Sequence, residues 1–188
     1  MIRTRADLRN YINEDAKRNG IFSLKSYVIG ILLGKEQAHA YRYLRVLRHC
    51  EYHKNNKGLL HKIRYVFFLI IYGRLGFRYH ILIPLNVCGK GVRLLHISGG
   101  GGILLNAKKI GDYCSFNSGV LIGNNRDNEN KPVVGDYVGF GPGAKAIGKI
   151  TIGNNVFVAP NAVVVKDVPD NCIVGGIPAK FIKYNDPK

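Results

Sequence analysis

The chain has no CxxC pair and no apolar run behind its first residue. Its four cysteines, Cys50, Cys88, Cys114 and Cys172, show no pairing pattern. Cys88 and Cys114 stand where small apolar residues would serve, so both read as reduced core thiols of a cytoplasmic protein. Met1 is followed by IRTRADLRNYINED, and no secretory signal is expected from it. The most apolar segment, Leu59–Tyr79, has an uncharged core of only Tyr65–Gly73. That is too short to span a bilayer, which needs about 20 residues. No RNA- or DNA-binding motif is present. Acid is scarce: 12 Asp and Glu face 28 Lys and Arg, a formal net charge of +16. The imbalance is uneven, with +13 in residues 1–96 and +3 in residues 97–188. Such a basic half suits nucleic acid, an anionic membrane surface or a phosphorylated small molecule, and charge alone does not choose among them.

What is present is a six-residue rhythm. From Val134 to Val168, the residues Val134, Phe140, Ala146, Ile152, Val158 and Val164 share one phase. Val138, Ala144, Ile150, Val156, Ala162 and Val168 share a second, four residues later. Period six fits neither a helix nor a lone strand. It predicts a parallel β-helix, in which each hexad forms one face and stacked coils bury a common core. A β-sandwich with tight turns is the bland alternative, but it has no reason to keep a strict six-residue register. Gly135, Gly141 and Gly153 supply permissive backbone at the corners.

The expected organisation is an α-helical region over 1–79 and a β-helix with a basic tail over 80–188. Helices are expected at 4–19, with Thr4 as N-cap and Asp7 three residues on, and at Ser23–Leu33. A third is expected from Lys35 to about Lys54, before the KNNKG loop. Leu59–Tyr79 is expected either to lid the open end of the solenoid or to lie at a membrane interface through Arg64, Arg74 and Arg78 with their flanking tyrosines.

The six-residue register begins near Ile81, with Leu82, Cys88 and Leu94 in phase. It breaks at LHISGGGGILLNAKKIG and resumes at Ile110, Phe116 and Ile122. Asn124–Pro132 is a polar excursion that projects from a coil. Of six histidines, His39, His49, His53, His61, His80 and His96, only His96 lies inside the solenoid, just before the glycine run Gly99–Gly102. A histidine can act as a general base near neutral pH, and the glycines let a ligand approach the backbone. A surface histidine beside a flexible loop fits the same residues.

Leu95-His96 with GGGGILLNAKKIGDYC, the loop before Lys131-Pro132, the GxGAKAIGKITIG run and the VPDNCIVGGIPAKFI ending together resemble the serine acetyltransferase-like branch of the hexapeptide acyltransferases. The resemblance covers roughly 81–184. It implies a left-handed parallel β-helix, a homotrimer, and acetyl-CoA bound between adjacent solenoids, with no metal. His96 matches the family's catalytic histidine. Ala144 and Ala159 match positions whose backbone lines the pantetheine channel, and Lys180 matches the basic tail residue near the CoA phosphates.

The chain also departs from the family. Serine acetyltransferases carry an orienting aspartate fifteen residues before the histidine, where Ile81 stands here, and a second histidine where Lys131 stands. These departures leave the acetyl-CoA side intact and bear on the acceptor. The expected activity is therefore O-acetylation of a sugar hydroxyl in surface polysaccharide assembly, on a small or lipid-linked acceptor, with peripheral membrane contact through 59–79. Serine O-acetylation is the alternative. A metalloenzyme resembling the γ-class carbonic anhydrases would need three histidine ligands, and the solenoid offers one. A non-enzymatic scaffold or nucleic-acid binder has only the basic half in its favour.

Overall fold

A computed structural model describes residues 1–124, 127 and 129–185. Asn125, Arg126 and Asn128, within the polar excursion expected at Asn124–Pro132, lie outside the described residues.

Four helices come first: α1 (Arg5–Arg18), α2 (Leu24–Leu32), α3 (Glu36–Asn55) and α4 (Leu59–Tyr79). Helix α1 starts where Thr4 and Asp7 cap each other reciprocally: the Asp7 N–H donates to Thr4 Oγ1 at 3.0 Å, and the Thr4 N–H donates to Asp7 Oδ2 at 2.9 Å. Ser23 caps α2 in the same way with Ser26. Helix α4 ends at His80, which takes the left-handed conformation, and the solenoid starts at the next residue.

The solenoid has three faces. One sheet runs β1 (Ile81–Leu82), β3 (Ile103–Leu105), β6 (Leu121–Gly123), β9 (Lys145–Ile147) and β12 (Val163–Val164). The second stacks β4 (Lys109–Ile110), β7 (Val133–Val134) and β10 (Thr151–Ile152). Bridges at Cys88 and Val168 extend that sheet at both ends. The third stacks β2 (Arg93–Leu95), β5 (Ser115–Asn117), β8 (Gly139–Phe140), β11 (Phe157–Val158) and β13 (Cys172–Gly176), with β14 (Ala179–Tyr184) added antiparallel at the end. All other pairings are parallel.

The register explains the sequence rhythm. Lys145 pairs with Val163, and Gly139 with Phe157, each eighteen residues on, or three hexads per coil. All twelve residues of the two phases are buried. They form inward ladders such as Leu94–Phe116–Phe140–Val158–Val174, in which the Phe116 and Phe140 rings stack 5.5 Å apart. Where the rhythm fails, the coil is longer: Arg93 pairs with Ser115, twenty-two residues on, and Leu121 with Lys145, twenty-four on. The extra chain is the His96–Gly102 turn in the first case and the 124–132 loop in the second.

Two expectations need correction. Leu82 does not point inward. It is 51% exposed, while Ile81 and Ile83 are buried. Strand alternation from Ile81, which pairs with Ile103, sets this phase. Nor is α4 the lid. Tyr43, Leu44 and Leu47 of α3 are fully buried in the solenoid core, whereas α4 places only Leu75 there fully. Each buried leucine of α3 contributes roughly 1.5–3 kcal/mol. Helix α4 packs beside α3 and meets the first coil, where Leu75 joins the core and the Tyr72 hydroxyl donates to the Ile83 carbonyl at 2.7 Å.

A buried ionic cluster bolts helices to solenoid. Arg48 of α3 donates through Nε to Asp15 Oδ2 at 2.8 Å and through Nη1 to Glu51 Oε2 at 3.0 Å. It also donates to the carbonyls of Cys88 and Gly89. Asp15 accepts from the Val92 N–H, and Glu51 from the Asn86 N–H. Burial opposes the Arg48 charge, but Asp15 and Glu51 outweigh it and hold the guanidinium cationic. All four cysteines are free and buried, and burial pushes the Cys50 and Cys114 thiols up to about 12.

Between α3 and α4, His49 stacks on Phe68 with centroids 4.6 Å apart, and His53 Nδ1 meets His61 Nδ1 at 3.0 Å. Burial, aided by Arg45 and His53, lowers the His49 pKa from 6.5 to about 4. A histidine with a depressed folded-state pKa binds its proton more readily when unfolded, so stability falls as pH drops from about 6.5 towards 4. His49 is part exposed, so solvent screening reduces the effect to about 1–2 kcal/mol. Chemical denaturation at pH 7 and pH 4.5 measures it. His49→Phe is expected to lose about that much of the pH dependence, and an unchanged dependence would show that His49 is not its source.

Candidate functional site

The corner between the third sheet and the first is where the coils lose side chains. Successive coils turn it at His96–Gly102, at Ser118–Gly119, at Gly141–Gly143 and at Ala159–Asn161. Gly119 has φ +79, and a Cβ there would lie 3.1 Å from the Gly143 Cα. At Gly101 a Cβ would lie 2.8 Å from the Gly119 nitrogen. At Gly101 the coils stack too closely for a side chain, and at Gly119 the positive φ favours glycine, which leaves bare backbone along the outside of these two coils.

His96 opens this column. It takes the left-handed conformation, φ 54 and ψ 38, and begins a 3-10 turn over Ile97–Gly99. The turn closes with a 2.9 Å bond from the Gly99 N–H to the His96 carbonyl. The ring is exposed and has no hydrogen-bond partner among the described residues. Ile81, fifteen residues earlier, is buried in the core and presents no carboxylate. Lys131 is half-buried.

A carboxylate does reach the His96 turn, from elsewhere. Glu36, the first residue of α3, accepts from the Ile97 N–H at 2.7 Å through Oε1, and its Oε2 faces Ser98 Oγ at 3.5 Å. Sixty residues separate the partners, and no local signal in the sequence joins them. Glu36→Gln keeps an acceptor and is expected to leave stability within about 0.5 kcal/mol, while Glu36→Ala orphans the Ile97 N–H and costs about 1–3 kcal/mol. Thermal melts of both variants compare them. Equal losses would mean that the bond does not hold the turn.

Ala144 and Ala159 lie in the same corner, two and three coils beyond His96. The Ala144 N–H donates to the Gly141 carbonyl, and its carbonyl accepts from the Leu121 N–H, both at 3.1 Å. Ala159 donates to the Val174 carbonyl at 2.8 Å and accepts from the Ala162 N–H at 3.2 Å. Their backbone groups are thus committed within the solenoid. What they offer outward is a smooth, narrow surface and spare carbonyl lone pairs rather than free N–H donors. Lys180 is exposed on β14, opposite Gly175 and so two strand spacings beyond Ala159. Five strand spacings of about 4.8 Å, from β2 to β14, separate His96 and Lys180 by about 24 Å along the stack.

The corner borders a cavity of about 810 Å³. Gly101, Gly102 and Gly119 form its floor, Tyr72, Gly76 and Phe77 of α4 its roof, and His80 and Lys145 its polar points. One wall is a ladder of outward leucines, Leu82, Leu104 and Leu121, which occupy paired positions on adjacent strands. A second cavity of about 440 Å³ lies on the other side of the turn, between Glu36, Tyr79 and Ser98. His96 lines neither of these two cavities. Lys145, whose Nζ donates to the Gly143 carbonyl at 3.0 Å, is the cation that sequence reasoning missed. Its outward position in the hexad was the available signal. Among the described residues no cluster of three or more His, Cys, Asp or Glu is placed to hold a metal ion.

No protein-family model matches the chain. Single proteins do. A serine acetyltransferase of Synechococcus elongatus is 38% identical over 96 residues, which are 50% of this chain and 38% of that protein. A serine acetyltransferase of Mycobacterium tuberculosis is 35% identical over 106 residues, 55% of this chain and 45% of the other. Among solved structures, serine acetyltransferase from Brucella abortus in complex with coenzyme A superposes with a TM-score of 0.68 over 97% of this chain and 69% of that one, at 24% identity. The soybean apoenzyme gives 0.69 over 94% and 69%, at 22% identity.

Over about half of its length the chain is similar to serine acetyltransferases, and it shares the fold of their helices and β-solenoid. The match to the curated serine acetyltransferases spans less than half of their own length. The structural likeness, by contrast, extends over the helices as well as the solenoid.

Proposed function

We propose that the chain is an acetyl-CoA-dependent O-acetyltransferase with His96 as general base. The observation that carries this reading is the corner column: an exposed histidine at one end, glycine-lined backbone through Ala144 and Ala159, and Lys180 about 24 Å further along. That length is on the scale of an extended pantetheine arm together with the phosphates beyond it, for which Lys180 supplies positive charge. His96 takes the proton from the acceptor hydroxyl as its oxygen attacks the thioester carbonyl. The tetrahedral intermediate then collapses, the C–S bond breaks, and the CoA thiolate leaves and recovers a proton from the imidazolium. No covalent enzyme intermediate is required.

Free serine is the acceptor that the relatives' names favour, over the sugar hydroxyl expected from the sequence departures. A sugar remains the second reading on one observation: the cavity of about 810 Å³ beside the corner, walled by leucines and lacking the aspartate that Ile81 replaces, exceeds what one serine fills. Release of CoA thiol from acetyl-CoA decides between them. Turnover with L-serine at millimolar concentration supports the first reading. Turnover only with a glycoside acceptor supports the second, and none with either removes the enzymatic proposal. A homotrimer belongs to the same reading, because a second copy is what would cover the outward leucine ladder and complete the groove at the corner. Sedimentation of the purified chain measures it.

A further inference from the structure

Helix α4 carries a face that is left uncovered among the described residues. Its inner side, Phe68, Tyr72, Leu75 and Tyr79, packs towards α3 and the solenoid. Its outer side is apolar. Leu59, Ile63, Val66, Ile70 and Phe77 project within an arc of about 60° of the helix circumference. All five are more than half exposed, Phe77 at 87%. Phe67, at 59%, and Leu60, at 65%, widen the stripe. Lys62 lies on one flank and Arg64 and Arg78 on the other, with Arg74 near the C-terminal end, and all four are exposed.

Charge singles out the occupant. Between Glu51 and Asp112 there is no Asp or Glu, while ten Lys and Arg stand in the same stretch. An apolar stripe fringed only by cations is complementary to an anionic lipid surface, where the stripe sinks among acyl chains and the long basic side chains reach back to the headgroups. A protein partner would need an equally apolar patch ringed by acid. Among the described residues no helix is long and apolar enough to cross a bilayer, so this one would lie on it.

We propose that α4 docks the protein on an anionic membrane surface through its Leu59–Phe77 stripe. The inference is independent of the proposed acetyl transfer, and its test does not read activity. Full-length protein is sedimented with vesicles of phosphatidylcholine alone, or of phosphatidylcholine mixed with phosphatidylglycerol. The wild type is expected to pellet with the mixed vesicles, to stay in solution with the neutral ones, and to be released by salt. Phe67→Glu with Ile70→Glu, checked for folding by circular dichroism, is expected to lower the bound-to-free ratio at least about tenfold. Should that variant fail to fold, Lys62, Arg64, Arg74 and Arg78 changed together to Gln give the same loss without placing charge in the stripe. The proposal is overturned if the wild type ignores the mixed vesicles, or if a folded variant binds them as the wild type does. It is equally overturned if the wild type binds no vesicle and the Glu variant only dissociates an oligomer. The stripe is then an interface between copies of this chain.

Discussion

Replacing His96 by Ala is expected to lower kcat/KM for acetyl transfer by about 10²–10⁴-fold. That is about 2.7–5.5 kcal/mol of transition-state stabilisation, at about 1.36 kcal/mol per tenfold. The ring is exposed and has no hydrogen-bond partner among the described residues, so its removal leaves no buried group orphaned and stability should stay within about 0.5 kcal/mol. Loss of turnover with unchanged melting is therefore the signature of a base rather than of a structural residue. The loss should fall on kcat more than on KM, because proton removal matters in the transition state and not in ground-state binding. Asn at the same position tests the turn, since it tolerates the left-handed backbone that His96 adopts. If His96→Asn turned over at the wild-type rate, the base would have to be another group.

Arg48→Met is expected to cost about 3–5 kcal/mol of stability. The guanidinium, Asp15 and Glu51 are all buried. Removing the cation leaves two carboxylates facing each other without compensation, and frees the Cys88 and Gly89 carbonyls it held. Burial already raises the Asp15 pKa against the pull of Arg48, so without Arg48 that carboxyl should take up a proton at higher pH. Urea denaturation at pH 7 reads the loss, and the deficit should shrink as pH falls and the carboxylates protonate. A loss under about 1 kcal/mol, or one independent of pH, would mean that the cluster is not what fastens helices to solenoid. Adding Asp15→Asn to Arg48→Met should recover part of the deficit, since it removes one of the two stranded charges.

Much of the fold was legible because the solenoid is nearly one-dimensional. Each coil contacts only its neighbours, so an eighteen-residue pairing distance shows directly as three hexads, and inward residues repeat in phase. The helix starts were legible for a similar reason: Thr4 with Asp7 and Ser23 with Ser26 are contacts within a few residues. Leu82 was misread because two residues of strand carry too little pattern to fix which face points inward, and the end of α4 at His80 sets the phase. Of the two roles expected of α4, the lid falls mainly to α3: α4 is the more apolar helix, but α3 places more side chains fully in the core. Tyr43, Leu44 and Leu47 alternate with arginines along α3, and their destination is invisible in composition.

The sequence alone determined that residues from Ile81 onward stack as hexapeptide coils, that His96 and the 124–132 segment are where the coils lengthen, and that the basic charge belongs to the first half. Periodicity, chain insertion and net charge are properties of order along the chain. Only the tertiary structure decided that Glu36 reaches the turn after His96, that Arg48 joins α1 and α3 to the first coil, and that α4 turns its apolar stripe outward. Those contacts close loops of tens of residues, and their partners are selected by packing geometry, which no local pattern encodes.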